Sequence, residues 1–186
     1  MRSQRWRWIP NALTFLRIVL IAPFAGALLL ENYQLALIIF FVAAVSDGFD
    51  GFLARRYNWR SRLGAIADPL ADKALLITAY LMLTLTSVLP TWLFIVVLGR
   101  DLLIVVGALA YHYGVGRYDM EPSMLGKINT LIQIVVVLAI IILLAGLPMQ
   151  PWVLEAGILL VAVSAVISGG HYMVVWGVRA WRAKQS

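Results

Sequence analysis

Long apolar runs, separated by short polar connections, make up most of this 186-residue chain. About 20 consecutive apolar residues suffice for a helix to cross the hydrocarbon core of a bilayer. The pattern predicts six such spans, at about residues 11–30, 35–55, 69–89, 92–112, 125–145 and 152–176. We therefore expect an all-α integral membrane protein with six transmembrane helices, folded as a single membrane domain over residues 1–186.

Arginine and tryptophan alternate near the start of the chain. At a membrane surface, tryptophan rings lie at headgroup depth and arginines meet anionic lipid, so residues 1–10 are predicted to form an interfacial segment. A basic start before an apolar run is also typical of a signal peptide. Arg17 and Pro23 inside the run, with no clear small-residue cleavage site, favour an uncleaved first helix.

Lysine and arginine are distributed unevenly between the two ends of the predicted spans. The connections at residues 31–34, 86–91 and 146–151 contain neither residue. The opposite side carries the N-terminal arginines, the cluster at residues 55–62, and basic residues at 117, 127 and 179–184. By the positive-inside rule, we expect both termini and the polar stretch between the second and third spans to be cytoplasmic.

Composition narrows the chemistry open to the chain. The sequence is 62% hydrophobic and contains no cysteine, which excludes disulfides, thiolate metal sites and cysteine nucleophiles. Its formal charge of +6 is compatible with nucleic acid, but the basic residues lie at membrane borders, where anionic lipid headgroups are the more natural partner. We expect a membrane-embedded protein that binds no nucleic acid.

A cluster of carboxylates lies at residues 46–73, between the second and third spans. If both flanks are helical, Asp47 and Asp50 share one helix face, and so do Asp68 and Asp72. Carboxylate oxygens are hard ligands, and a cluster of them without histidine or cysteine suits Mg²⁺ or Mn²⁺ better than zinc. The stretch therefore predicts a metal site that holds phosphate groups.

Structural roles are an alternative for each of these aspartates. Asp68 precedes Pro69, an arrangement typical of a helix N-cap. The other three can pair with neighbouring arginines such as Arg55. Ionisable groups at the edge of an apolar helix are costly, so a functional site explains all four together better than four separate structural roles do.

Further charged residues fall inside the predicted spans, among them Arg17, Arg100 and Asp101. Intramembrane charges usually face the interior of a helix bundle and mark a pathway or a site. For Arg17, a site role and snorkelling toward the cytoplasmic border both stay open. For Arg100, we favour a site role over a purely structural buried ion pair.

The acidic stretch carries a recognisable motif. Asp47-x-x-Asp50-Gly51-x-x-Ala54-Arg55, followed by Gly64, Asp68 and Asp72, resembles the signature of the CDP-alcohol phosphatidyltransferases, with every fixed position filled. Further runs extend the resemblance to about residue 133: Ile9-Pro10-Asn11-x-x-Thr14-x-x-Arg17, Asp68-Pro69-Leu70-Ala71-Asp72-Lys73, Arg100-Asp101 and Lys127-x-Asn129-Thr130-x-x-Gln133. The chain is thus similar to enzymes that transfer a phosphatidyl group from a CDP-linked lipid to an alcohol and release CMP.

The resemblance implies a homodimer of six-helix subunits with a cavity open to the cytoplasm at the bilayer border. It implies two divalent ions, Mg²⁺ or Mn²⁺, held by four ligands: Asp47, Asp50, Asp68 and Asp72. Asp72 would also be the general base. The donor lipid, usually CDP-diacylglycerol, would bind at five positions: Asn11, Thr14, Gly51, Ala54 and Arg55.

A second group of residues bears on the acceptor alcohol. Arg100-Asp101 and Lys127-x-Asn129-Thr130 resemble the cardiolipin synthases of eukaryotic type, which transfer to phosphatidylglycerol. Phosphatidylglycerophosphate synthases, which use glycerol 3-phosphate, more often have Arg-Glu at the place of Arg100-Asp101 and a lysine at the place of Asn129. Gly126, before Lys127, is nevertheless more similar to these synthases than to the mitochondrial cardiolipin enzymes. The resemblance implies acceptor binding by Arg100, Lys127 and Asn129, with cardiolipin as product and phosphatidylglycerophosphate as the alternative.

A divalent-cation transporter and an inactive membrane scaffold are the competing classes. A transporter is expected to place acids near the bilayer midplane, whereas here they lie at one border, beside an arginine cluster that repels cations. A scaffold has no use for all four carboxylates. The short termini favour a bacterial inner membrane, with the active site facing the cytoplasm, over a processed mitochondrial chain.

Overall fold

The computed structural model describes residues 9–57, 62–114, 123–147, 150 and 152–183. The side chains it describes are those of residues 12–46, 68, 70–110, 123–147, 150 and 152–177. All regular secondary structure in these ranges is α-helical. The six helices are α1 (Ile9–Leu29), α2 (Tyr33–Tyr57), α3 (Arg62–Leu85), α4 (Thr91–Gly114), α5 (Met124–Leu144) and α6 (Trp152–Ala183).

Among the described side chains, four helices contain segments long and apolar enough to cross a membrane: Ala12–Leu29, Thr91–Ala110, Met124–Leu144 and Trp152–Gly177. The prediction of an all-α, multi-pass membrane protein is therefore confirmed. Within the described side chains, α2 contributes a shorter apolar segment, Tyr33–Ser46. The count of six spans and the cytoplasmic termini stay predictions.

The helices group into two compact units. The first contains α1, α2, α3 and residues 141–147, and the second contains α4, residues 124–140 of α5, and α6. In the first unit, α1 packs against both α2 and α3. The Phe24 and Phe40 rings meet at 5.8 Å between centroids. Buried alanines on the three helices let the backbones approach closely: Ala27, Ala36, Ala43, Ala71 and Ala79.

A tight connection at residues 30–32 joins α1 to α2. Glu31 adopts a left-handed conformation with φ +55°, and the Asn32 backbone N–H closes the end of α1 by donating to the Ala27 carbonyl at 2.8 Å. The Asn32 side-chain oxygen then accepts the Leu35 N–H at 3.2 Å. Asn32 is thus the N-cap of α2, and the short turn lets α2 return beside α1.

The start of α3 corrects one sequence-based alternative. Asp68 precedes a proline and therefore resembled an N-cap, but α3 begins at Arg62. Asp68 lies inside the helix, where it shares a face with Asp72 one turn later. A structural N-cap role for Asp68 is wrong, because the helical backbone already runs through the residues before it.

In the second unit, α4 packs against α6. The approach is closest at Gly107, where a Cβ atom would lie 1.8 Å from Cζ3 of Trp176. Only glycine leaves room for this indole ring, so it fixes where the two helices meet. Fully buried Leu93 of α4 and Val161 of α6 belong to the same apolar core.

Large apolar side chains also cover much of the outer surface. Phe15 is 67% exposed and Val166 is 65% exposed, on α1 and α6 respectively. In water such a surface would be a liability, whereas lipid tails are as apolar as these side chains. The exposed surface therefore fits the same membrane environment as the candidate spans.

Candidate active site

Two side chains of α1 hold two aspartates of α3 in the first unit. The Thr14 hydroxyl donates a hydrogen bond to Oδ1 of Asp68. Nη1 of Arg17 donates to Oδ1 of Asp72 and forms an ion pair with it. The donors are three residues apart and the acceptors four, so each pair occupies one helix face. We name these four residues the aspartate site.

Burial at the aspartate site is unequal. Arg17 is 1% exposed and Thr14 is 3% exposed, whereas the Asp72 side chain is 46% exposed. The Arg17 charge therefore lies inside the unit, and the snorkelling alternative for this residue is wrong. Because a buried guanidinium has few orientations available, it fixes the half-exposed carboxylate beside it.

The donor set at this site fits a hard divalent cation. Asp68 and Asp72 present carboxylate oxygens on one face of α3, and carboxylate oxygens are the ligands that hard divalent cations take. Among the described side chains, no three potential metal ligands come together. Two of the four predicted ligands, Asp47 and Asp50, lie outside those side chains, so the two-metal site stays a prediction.

Most of the predicted CDP-lipid positions also lie outside the described side chains: Asn11, Gly51, Ala54 and Arg55. Of the five, Thr14 alone is described, and it contacts Asp68. The structure therefore brings one predicted donor-binding residue to a predicted metal ligand.

A separate cavity of about 430 Å³ lies in the second unit. It is lined by Arg100, Ile104, Gly126, Lys127, Thr130, Leu131, Ile134 and Tyr172. We name it the basic pocket, because its charged lining residues are Arg100 and Lys127. Two of the three predicted acceptor-binding residues thus line one cavity, with apolar side chains beside them.

Arg100 is held on two sides. Its Nε and Nη2 donate to the Ser168 hydroxyl oxygen at 3.2 and 2.6 Å, and its Nη1 donates to Oδ1 of Asp101 at 2.8 Å. The Tyr172 ring lies beneath the guanidinium, with 5.9 Å from Cζ to the ring centroid. Arg100 is 8% exposed, so a buried cation with a fixed orientation faces the pocket.

Gly126 creates the space next to this guanidinium. A Cβ atom there would lie 3.0 Å from the Tyr172 hydroxyl oxygen and 3.2 Å from Nη2 of Arg100. The Gly126 N–H donates to the Ser123 hydroxyl at 3.0 Å, which makes Ser123 the N-cap of α5. The N-terminal end of this helix adds a partial positive charge beside Arg100 and Lys127, and such a setting favours an anion.

Asn129, the third predicted acceptor-binding residue, is not among the residues that line the pocket. It is 1% exposed, and its Oδ1 accepts a hydrogen bond from the Ser164 hydroxyl at 2.9 Å. In the described part of the chain, its Nδ2 has no hydrogen-bond partner. Asn129 therefore links α5 to α6 behind the pocket.

Sequence reasoning missed the contribution of α6. Ser164, Ser168 and Tyr172 recur at four-residue spacing on a largely apolar helix, which puts them on one face. Each contacts the part of α4 or α5 that contains the predicted acceptor-binding residues Arg100, Lys127 and Asn129, which we name the acceptor region. The regular spacing of polar residues was a signal that could have revealed this face.

Comparison with known proteins identifies the family. The model of the CDP-alcohol phosphatidyltransferase family matches residues 7–169. This chain belongs to that family. The match includes the motif aspartates, the aspartate site, Arg100 and Lys127, and it ends before Tyr172.

Curated relatives fall into two groups. Human cardiolipin synthase (CMP-forming) is 34% identical over 70% of this chain and 49% of its own length, so the chain spans about half of that relative. The CDP-diacylglycerol–glycerol-3-phosphate 3-phosphatidyltransferase of Escherichia coli K12 is 37% identical over 86% of this chain and 88% of its own. The enzyme of that name from Aquifex aeolicus is 35% identical over 66% and 69%.

Proposed function

We propose that the protein is a phosphatidyltransferase that moves the phosphatidyl group of CDP-diacylglycerol to phosphatidylglycerol, giving cardiolipin and CMP. The observation that carries this proposal is the aspartate site, where α1 fixes two motif aspartates through Thr14 and Arg17. Family membership supports the donor and the transferred group. The proposal of phosphatidylglycerol as the acceptor rests on the basic pocket in the second unit.

Four aspartates would hold two Mg²⁺ or Mn²⁺ ions: Asp47, Asp50, Asp68 and Asp72. Bound there, the metals would neutralise the diphosphate oxygens of the donor and stabilise the departing CMP. The chain's own contribution is orientation. Thr14 fixes the Asp68 carboxylate and Arg17 fixes that of Asp72, so neither has to reorganise during the reaction.

Asp72 would also act as general base. The acceptor hydroxyl attacks the phosphorus of the phosphatidyl group, the bond from phosphorus to the CMP oxygen breaks, and the hydroxyl proton passes to the Asp72 carboxylate. The half-exposed position of this carboxylate is compatible with approach by a hydroxyl. The buried Arg17 would keep its oxygens aimed while the proton moves.

The basic pocket supports a lipid phosphodiester as acceptor. Arg100 and Lys127 contribute two positive charges, and Asp101, bonded to Arg100, contributes one negative charge. Among the described residues this local charge suits an anionic acceptor, and the apolar lining is what favours a lipid phosphodiester over glycerol 3-phosphate. The apolar lining residues Ile104 and Leu131 can accommodate the acyl chains of phosphatidylglycerol.

Glycerol 3-phosphate is the second candidate acceptor. The enzyme of Escherichia coli K12 whose name contains this substrate matches 86% of this chain. Gly126, which opens the space beside Arg100, is also the position where the sequence is closer to such enzymes. Under this alternative, the donor, the metals and the aspartate site keep the same roles.

A two-acceptor assay tests the proposal. Purified protein receives CDP-diacylglycerol and Mg²⁺ with either phosphatidylglycerol or glycerol 3-phosphate, and CMP and lipid products are measured. Cardiolipin from the first acceptor alone is the expected result. Phosphatidylglycerophosphate from the second would assign the alternative, and no CMP with either acceptor would overturn the proposed activity.

Homodimer formation and location in a bacterial inner membrane, with the active site facing the cytoplasm, belong to the same proposal. Cytoplasmic access suits CMP, which is water-soluble, while the donor keeps its tails in the bilayer. The family's bacterial relatives, such as the Escherichia coli enzyme, support this location.

A further inference from the structure

One face of α6 reaches each part of the acceptor region. Ser164 donates to Asn129 at 2.9 Å, and the next residue on this face, Ser168, accepts from Arg100 at 2.6 Å. Tyr172 accepts the Ser123 backbone N–H at 3.0 Å. The contacts follow one another at single-turn intervals along the helix.

Ser168 determines the direction of the Arg100 guanidinium. One hydroxyl oxygen accepts from both Nε and Nη2, and the Asp101 carboxylate holds Nη1. A guanidinium carries five N–H donors in a rigid plane. The edge that contains Nε and Nη2 is bound to Ser168, and Nη2 also lies 3.2 Å from the position that a Gly126 Cβ would occupy, so this edge borders the pocket.

Ser168 is itself 1% exposed. A buried hydroxyl contributes little to apolar packing, and alanine would fill nearly the same volume between α4 and α6. Burying a polar group is unfavourable unless it is hydrogen-bonded. Its two bonds to Arg100 satisfy the hydroxyl oxygen, so the role of this serine is to hold the cation.

Tyr172 lies next to both Arg100 and Gly126. Its ring lies 5.9 Å from Cζ of Arg100, and its hydroxyl oxygen lies 3.0 Å from the position that a Gly126 Cβ would occupy. Because that oxygen accepts the Ser123 N–H, its own proton is available to an anion in the space above Gly126.

We propose that α6 positions the acceptor: Ser168 acts through Arg100 as a positioning residue, and the Tyr172 hydroxyl donates to the acceptor phosphate. The ligand class is a phosphodiester or phosphate ester carried by the acceptor alcohol. This inference rests on the proposed function and deepens it. Under this inference, residues outside the aspartate motif determine the affinity for the acceptor. They affect neither the affinity for the donor nor the chemical step.

Ser168→Ala tests the positioning role, with Ser168→Thr as the variant that keeps the hydroxyl. Loss of a hydrogen bond to a charged group predicts a rise in the acceptor KM of about tenfold to a hundredfold. The KM for CDP-diacylglycerol is expected to stay within about twofold of wild type, since the donor site is intact. Val166→Ala, on the exposed side of the same helix, is the control that should leave both constants unchanged.

Tyr172→Phe keeps the ring beside Arg100 and removes the hydroxyl, so the acceptor KM is expected to rise by about tenfold. This variant also covers the case in which Ser168→Ala fails to fold. An unchanged acceptor KM in the folded variants, or an equal rise in both KM values, would overturn the inference while the proposed function stood.

A wild-type protein that releases no CMP would overturn the proposed function instead. The inference would then be judged on binding, through thermal stabilisation of the purified protein by phosphatidylglycerol or glycerol 3-phosphate. Stabilisation by either ligand that weakens in Ser168→Ala and recovers in Ser168→Thr supports it. Stabilisation equal in wild type and Ser168→Ala, or absent in both, rejects it.

Discussion

Arg17 of α1 and Asp72 of α3 form an ion pair between a fully buried guanidinium and a half-exposed carboxylate. The two residues are 55 positions apart in the chain. Thr14, one turn before Arg17, bonds to Asp68 in the same way. The first helix therefore holds the carboxylates of the third, and the proposed general base owes its orientation to a residue outside the acidic stretch.

Replacing Arg17 should impair turnover through Asp72. Arg17→Met removes the charge and keeps most of the aliphatic stem, so kcat is expected to fall by about a hundredfold as the carboxylate loses its orientation. Arg17→Lys should retain part of the activity, since an ammonium keeps the charge but not the planar fork. CMP release by purified variants measures both effects.

The control for this prediction is Val19→Ala, at a position on α1 that is 50% exposed. It should leave kcat unchanged. Wild-type turnover in Arg17→Met would show that Asp72 needs no help from α1.

The two ends of the aspartate motif should respond differently to substitution. Asp72→Asn removes the proposed base and is expected to abolish turnover while CDP-lipid binding stays measurable. Asp47→Asn should lose both, because it removes a proposed ligand of the metal that holds the diphosphate. Full activity in Asp72→Asn would remove the base assignment, and equilibrium binding of labelled CDP-diacylglycerol separates the two variants.

Activity should depend on Mg²⁺ or Mn²⁺. Four carboxylates without soft ligands favour hard divalent ions, so a chelator is expected to stop CMP release and either ion to restore it. Turnover that persists at the same rate in excess chelator would contradict the two-metal proposal.

Gly126→Ala should weaken binding of the acceptor and leave the fold intact. The added methyl would lie 3.2 Å from Nη2 of Arg100, in the space assigned to the acceptor phosphate, and we expect the acceptor KM to rise by about tenfold. Alanine favours a helix over glycine by about 1 kcal/mol, so the melting temperature should not fall. Kinetics with both acceptors and a thermal melt test the two halves of this prediction.

Gly170→Ala is the matched control, because a Cβ atom there meets nothing within 4 Å. An acceptor KM in Gly126→Ala equal to that of Gly170→Ala would show that the space beside Arg100 is not used by the acceptor.

Hydropathy was sufficient to predict the helical membrane class, because apolar length determines which segments can cross a bilayer. It did not locate the start of α3, because Pro69 resembled a first helical residue while the helix begins at Arg62. Helical spacing placed Asp68 and Asp72 on one face, but it could not supply Thr14 and Arg17 as their partners. Those contacts depend on tertiary packing of α1 against α3.

In the acceptor region, too, the sequence predicted some of the residues and could not predict their partners. Intramembrane charge predicted a site role for Arg100, and the structure places this residue in the lining of one pocket with Lys127. The role of Ser168 could not be predicted from α6 alone, since spacing defines a helix face but not the residue that the face contacts.

Transfer of the phosphatidyl phosphorus tests the central claim most directly. CDP-diacylglycerol labelled at the phosphorus attached to diacylglycerol is incubated with the purified protein, Mg²⁺ and phosphatidylglycerol or glycerol 3-phosphate. We predict that the label appears in a new phospholipid in equal amount to unlabelled CMP, and that neither forms without Mg²⁺. Label that stays in the donor, or appears only in phosphatidic acid, would contradict the account.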